Sequence, residues 1–261
     1  MMNNIPLITI ITVSYNAVKT IENTILSVIN QSYKRIEYII IDGGSKDGTI
    51  DIIKKYSNSI TYWISEPDNG IYDAMNKGII RATGDWINFM NCGDTFYNSE
   101  VLTDIFNNKQ YPTADIIYGN SKIISTNNQI YESISNKNID FLQYEPIYRH
   151  GASFVKTEVH KQFLFQLNKI PNIGYALDFD VIYSLYKAGK KFQQVNIFIM
   201  CYAEEGMSNH PILNRYYVYK ITSNSNFLSK QFIYFIKCIY KYYISKIKKI
   251  IIPPIKHLIK K

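Results

Sequence analysis

Over the first hundred residues, short β-branched runs alternate with segments of helical periodicity, and nearly every run ends in a polar turn. This alternation is the pattern of βαβ units and predicts an α/β chain with a mostly parallel sheet. Strands are expected at residues 7–13, 37–41, 60–65, 86–90 and 115–119. Between the first two, Val18, Ile21, Ile25, Val28 and Ile29 recur at helical spacing, as do Ile71, Met75, Ile79 and Ala82 between the third and fourth. Both stripes are read as core. The turns Asp42-Gly43-Gly44-Ser45, Asp47-Gly48, Asp68-Asn69-Gly70 and Cys92-Gly93-Asp94 fall just after strands. An open parallel sheet has its ligand crevice at those carboxyl ends, so the polar residues gathered there are the candidates for function. Further on the pattern weakens: residues 120–150 predict antiparallel strands with loops, and residues 181–185 the start of a helix.

A chain of 261 residues with 46% hydrophobic and 19% charged content can bury a full core. The net charge of +8 suggests a nucleic-acid binder until its placement is considered. All 21 acidic residues lie at or before Glu205; residues 1–205 carry 18 of the 29 basic residues, and residues 206–261 carry the other 11 with no acid. The main domain therefore has no basic excess with which to hold a phosphate backbone, and no nucleic-acid partner is expected. Three widely spaced cysteines, Cys92, Cys201 and Cys238, suggest neither a disulfide framework nor a zinc knuckle. The opening MMNNIPLITIITVSYN has no basic n-region and reads as a buried strand rather than a secretory signal, which predicts a cytoplasmic protein. His160, His210 and His257 have no metal-ligand spacing and are expected at the surface.

The basic tail predicts a helix over residues 227–252, with Lys230, Lys237, Lys241 and Lys248 in a narrow arc. Phe232, Phe235, Ile236, Ile239, Tyr243, Ile247 and Ile250 take the broad opposite side, with Lys246 intruding, and Pro253-Pro254 ends the helix. No stretch approaches the roughly 18 apolar residues a membrane span requires. The pattern fits a helix lying on an anionic membrane surface, or one packed on its own domain.

Ser14-Tyr15 at the first strand's exit offers backbone groups and a flat ring on which a nucleobase could stack. Asp42 could accept hydrogen bonds from a base or ribose, or serve as a turn aspartate. No Gly-X-Gly-X-X-Gly follows the first strand, which speaks against a dinucleotide oxidoreductase. Taken together, TVSYN, IIIDGGSKDGT and SEPDNGIYDAMNKGIIRATGDWINFMNCGD resemble, in order and spacing over about residues 5–100, glycosyltransferase family 2. Its members have the GT-A fold and transfer a sugar from a nucleotide-diphosphate donor. Within the family the likeness is to bacterial enzymes that build capsular, exopolysaccharide or lipopolysaccharide chains.

The resemblance implies a GT-A domain over residues 1–210, with a nucleotide-sugar-binding half (1–119) and an acceptor-side half (120–210), followed by the tail, 211–261. It implies that Val13 and Tyr15 line the nucleobase pocket, that Asp42 holds base or ribose, and that Asp68 and Asn76 lie near nucleotide and donor sugar. The family's Asp-X-Asp metal motif corresponds to Asn91-Cys92-Gly93-Asp94, without its leading acid. Mg²⁺ or Mn²⁺ takes hard oxygen ligands, which leaves Asp94 as the carboxylate and Asn91 as a neutral oxygen; Cys92 is too soft. Arg149 and His150 in RHGASFVK match a place near the family's active centre. Of the acids in LDFD, Asp178 ahead of Asp180 corresponds to the catalytic base, the alternative for both being a helix-capping role. YAEEGMS resembles a later Gly-Gly segment with Glu205 for the first glycine. The implied partners are a nucleotide-sugar donor, a glycan or lipid-linked glycan acceptor, and a membrane surface reached through the tail. The rival reading, motivated by the altered metal motif, is a transferase-like binding subunit without turnover.

Overall fold

The structure, a computed structural model, describes residues 5–107, 109–127, 129–203, 211–223 and 229–251, with side chains in the last segment through Ile244. The runs rich in isoleucine and valine form strands β1 (Ile8–Ser14), β2 (Ile36–Asp42), β3 (Tyr62–Ser65) and β4 (Trp86–Phe89), all mutually parallel in the order β3-β2-β1-β4. Helices α1 (Ile21–Ile29), α2 (Thr49–Lys55) and α3 (Ile71–Arg81) make the crossovers. β1 shows why these strands read as unbroken hydrophobic runs: Ile11 and Val13 enter one core and Ile8 and Ile10 the other, so both faces are covered. Of the predicted stripes, Val18 lies in the loop before α1 and is exposed, and Ala82 caps the end of α3 and is buried.

Beyond β4 the chain adds β5 (Thr95–Phe96), α4 (Val101–Phe106), β6 (Ile116–Ile124), β7 (Ile130–Ser133), β8 (Ser153–Lys156), α5 (Thr157–His160), α6 (Ile170–Ile173), α7 (Leu177–Lys187) and β9 (Phe192–Ala203). β8 runs antiparallel to β4, and β6 antiparallel to β8 and β7 but parallel to β9. The nine strands make one mixed sheet that ends β8-β6-β9-β5. Two consequences bear on the sequence reading. The expected seam between residues 119 and 120 falls inside β6, and β5, which follows the Asn91–Asp94 turn, pairs with the chain-distant β9.

The last two elements, α8 (Pro211–Ser223) and α9 (Lys230–Ile251), pack together. Phe232 and Phe235 lie against Tyr219 of α8, with ring centroids 5.5 and 5.4 Å apart, so part of the apolar side of α9 is covered by α8. Ile233, Ile236, Tyr240 and Tyr243 stay exposed along another strip of the same helix, next to exposed Lys237 and Lys241. Residues 204–210 and 252–261, with Glu205, His210, Pro253-Pro254 and His257, lie outside the described residues, as do the side chains of Lys246, Ile247, Lys248 and Ile250.

Candidate active site

Strand register assembles the first part of the crevice. Ser14 is paired with Asp42 and Asp42 with Ser65, so three polar side chains line up across the carboxyl ends of β1, β2 and β3. Asp42 is 0% exposed, and its Oδ1 accepts from Ser14 Oγ (2.8 Å) and Ser45 Oγ (2.6 Å). Its Oδ2 accepts from Gly44 N (3.1 Å), Ser45 N (2.8 Å) and Ser65 Oγ (2.6 Å). Burial alone would raise its pKa, but the bonds from Ser45, Ser65 and Ser14 outweigh that and hold it below the usual 3.8. Five donors exhaust a carboxylate's lone pairs, so Asp42 orders the 43–49 loop instead of offering an oxygen to base or ribose.

The loop so ordered is sewn to the exit of β1: Asn16 N donates to Ser45 Oγ, Lys46 N to Asn16 Oδ1, and Ala17 N to Thr49 Oγ1. Tyr15 stands free above it, 67% exposed. A Cβ at Gly43 would come within 2.7 Å of Asp68 Oδ2 and 3.3 Å of the Tyr15 ring. The tyrosine ring and the Asp68 carboxylate therefore face each other across a slot that only glycine keeps open. Asp68 Oδ1 accepts from Gly70 N (2.8 Å), which orients it. Two other candidates are placed differently. Val13 is 5% exposed and packs in the core. Asn76 uses both ends of its amide on the backbone of Phe165, donating to its carbonyl and accepting from its N–H, each at 2.9 Å. It fastens the 161–166 segment to α3 and has no amide atom left for a donor sugar.

The second part of the crevice is the turn after β4. Asp94 N donates to Asn91 O (2.9 Å), and Gly93 has φ 97°, a left-handed conformation that favours glycine. Thr24 of α1 fastens the turn, its Oγ1 donating to Asp94 O and accepting from Gly93 N. Asn91 Oδ1 is buried with no hydrogen-bond partner. No donor among the described residues reaches the Asp94 carboxylate, whose pKa burial raises to about 7 against the opposing charge of Arg149. An orphaned amide oxygen beside an unbonded carboxylate fits a hard divalent cation whose other ligands are phosphate and water. Among the described residues no group of three or more His, Cys, Asp or Glu side chains could hold a metal ion. Burial pushes the Cys92 thiol up to about 12, and its soft sulfur suits neither Mg²⁺ nor Mn²⁺.

The third part comes from the acceptor-side half. Asp178 lies in the first turn of α7, where its Oδ1 accepts from Phe179 N (2.8 Å). Burial raises its pKa despite that bond and the field of Arg149. Asp180 points elsewhere, into an ion pair with Lys169 at 2.7 Å. Only Asp178 of the two is free of a cationic partner, which makes it the candidate base. Tyr72 of α3 donates to Tyr175 O (2.6 Å) and ties α3 to the α7 entry. His150 stacks on Phe89 with centroids 5.1 Å apart, and burial beside His160 lowers its pKa to about 3, so it is neutral. His160 corrects a surface expectation: it is 1% exposed, packed against Phe89 and Phe165, and burial lowers its pKa to about 4. The residue whose part the sequence left open is Arg149, whose charge reaches both Asp94 and Asp178.

Comparison with known proteins bears on the fold and the family of the chain. An uncharacterized glycosyltransferase of Mycobacterium tuberculosis is 41% identical over 102 residues, which is 39% of each chain, so the match spans about two fifths of that relative. Among solved structures, S. aureus TarS in complex with UDP-GlcNAc superposes with a TM-score of 0.64 at 16% identity, over 85% of this chain and 67% of that one. The Pyrobaculum calidifontis mannosyltransferase PcManGT, in complex with GDP-Man and Mn²⁺, gives 0.62 at 16% identity, over 84% and 64%. These likenesses establish a GT-A fold. The model of the family described as "Glycosyl transferase family 2" matches residues 9–170, from β1 through the Asn91–Asp94 turn to the segment that Asn76 fastens. A match over that much of the chain settles its kinship: it belongs to glycosyl transferase family 2.

Proposed function

We propose that this chain is an inverting glycosyltransferase that moves a sugar from a nucleoside-diphosphate donor, UDP by preference, to a glycan or lipid-linked glycan acceptor in building bacterial surface polysaccharide. The observation that carries the reading is that the charge of Arg149 reaches both Asp94, in its glycine-dependent turn, and Asp178 at the head of α7. Tyr15 stacks the base, and Asp68, across the Gly43 slot, bonds to the nucleoside or donor sugar. Asn91 Oδ1 and Asp94 would hold Mg²⁺ or Mn²⁺, which would supply charge neutralisation for the departing diphosphate. Asp178 accepts the proton of the acceptor hydroxyl as that oxygen bonds to the anomeric carbon. The bond from that carbon to the donor phosphate breaks, the diphosphate leaves with the electron pair, and attack from the opposite face inverts the configuration. Burial that raises the Asp178 pKa makes it a stronger base than an exposed aspartate. The solved neighbours that hold UDP-GlcNAc, or GDP-Man with Mn²⁺, support the donor class and the cation.

Among the described residues no helix is long and apolar enough to cross a membrane. The exposed strip of α9 with its flanking lysines supports peripheral attachment at the inner face of the cell membrane, where lipid-linked acceptors are found. Calorimetric binding and donor hydrolysis with UDP-, dTDP- and GDP-sugars and Mn²⁺ or Mg²⁺ test the chemistry. Cation-dependent binding lost in Asp94→Ala, with Asp178→Asn binding but not turning over, is the expected result. Binding without turnover in the wild type, across a panel of acceptors, favours the scaffold reading that the missing leading acid suggests.

A further inference from the structure

Arg149 has an unusual combination of rigid footing and free head. Its backbone belongs to a short helical turn, His150–Ala152, bolted to β4 just ahead of Asn91. The fully buried Asn88 donates from Nδ2 to both Gly151 O (2.8 Å) and Ser153 O (2.9 Å). A Cβ at Gly151 would sit 3.0 Å from Phe89 O and 2.9 Å from Met200 Sδ, so the turn lies almost in contact with the strand. Ala152 N donates to Arg149 O, and the His150 ring stacks on Phe89.

Among the described residues the guanidinium rests on one ring, its carbon 4.8 Å from the centroid of Tyr202 near the end of β9. A guanidinium stacked on a ring keeps its N–H groups pointing outward in its own plane. Among the described residues no carboxylate lies within ion-pair distance of it, whereas Arg215 is paired with Glu145. Yet Asp94 and Asp178 both feel its charge. Thr95, next to Asp94, pairs with Cys201, next to Tyr202, so Arg149 is an exposed cation held in the space near the Asp94 turn, with no carboxylate among the described residues paired to it.

That space is where the transferase reading puts the donor diphosphate, and the inference rests on that reading. We propose that Arg149 grips the diphosphate of the donor directly, as a bidentate partner that makes up for the carboxylate missing from the Asn91–Asp94 turn. A leading acid at position 91 would help retain a divalent cation; with asparagine there, part of the neutralisation of the diphosphate falls to a charge that cannot dissociate. Arg149 therefore gives this chain nucleoside-diphosphate binding that survives removal of the divalent cation.

The test is calorimetric, on the full chain, with UDP, dTDP and GDP and the matching nucleosides as phosphate-free controls, in Mn²⁺ and in EDTA. Wild type is expected to bind one diphosphate in both buffers. Arg149→Gln weakens that binding by about 10- to 100-fold, the worth of a charge-assisted pair of hydrogen bonds, and leaves the nucleoside unchanged. Arg149→Lys, which keeps the charge and loses the fork, recovers part of the affinity. Thermal unfolding of both variants confirms that the fold is retained, and Arg149→Lys keeps the test informative if the glutamine variant is unstable. Equal diphosphate affinity in wild type and Arg149→Gln overturns the proposal. So does a variant that binds normally but shows a displaced pH profile of turnover, which would assign Arg149 to tuning Asp178. A wild type that binds no nucleotide in either buffer instead overturns the transferase reading itself.

Discussion

Replacing Asp42 by asparagine isolates the interaction that shapes the nucleoside side of the crevice. The change is nearly isosteric, so no cavity forms and the cost is electrostatic. With the new amide nitrogen at the Oδ1 position, the hydroxyls of Ser14 and Ser45 can reverse and accept, while Oδ2 keeps Gly44 N, Ser45 N and Ser65 Oγ. No donor need be orphaned, but five charge-assisted bonds become neutral ones. At roughly 1 kcal/mol lost per bond, shared among groups that act together, the cost at neutral pH is about 2–4 kcal/mol. The pH dependence gives a second handle. The folded-state pKa of Asp42 is depressed below 3.8, so its contribution is complete above that value and is lost as the pH falls through the folded pKa. Urea unfolding of wild type and Asp42→Asn should show the full gap from about pH 5 upward, closing in stronger acid. A gap under about 0.5 kcal/mol at pH 7, or one that does not change down to pH 3, would refute the claim that Asp42 is the ionised centre of this loop.

Further outcomes follow from other contacts. Asn76→Ala unpairs the Phe165 backbone at both ends and should cost about 2 kcal/mol, a Tm drop of about 4–8 °C, while nucleotide affinity by calorimetry stays within about threefold. Gly93→Ala puts a side chain at φ 97°, costing about 1–2 kcal/mol, and should weaken cation-dependent nucleotide binding more than it lowers Tm. Ile233→Glu with Tyr240→Glu removes apolar area from the exposed strip of α9 and should reduce flotation with anionic vesicles by about tenfold or more; undiminished flotation would count against membrane attachment.

The donor half was legible because its strands are buried on both faces and announce themselves as isoleucine runs, and because parallel strands put polar turns at one edge. β9 was not: FQQVNIFIMCYA mixes glutamine and asparagine into a strand that is only partly buried, so neither alternation nor an apolar run marks it. Asn76 resembles a crevice residue in sequence, but its partner lies 89 residues away. The TEVHKQF segment around His160 looks like the surface of a short helix, and only the packing of Phe89 and Phe165 encloses the ring. On the tail, periodicity separated lysines from apolar residues, but only contact with Tyr219 showed which apolar residues face inward.

The pairing of β5 with β9 also sets an order of assembly during synthesis. Thr95 and Phe96, immediately after Asp94, find their partners in Cys201 and Met200, and Arg149 rests on Tyr202. A growing chain that ends between Asp94 and β9 already has Tyr15, Asp68 and Asp94, yet has neither the strand that borders the Asp94 turn nor the ring that steadies Arg149. On the transferase reading, the reactive corner is complete only once residue 202 has joined the chain.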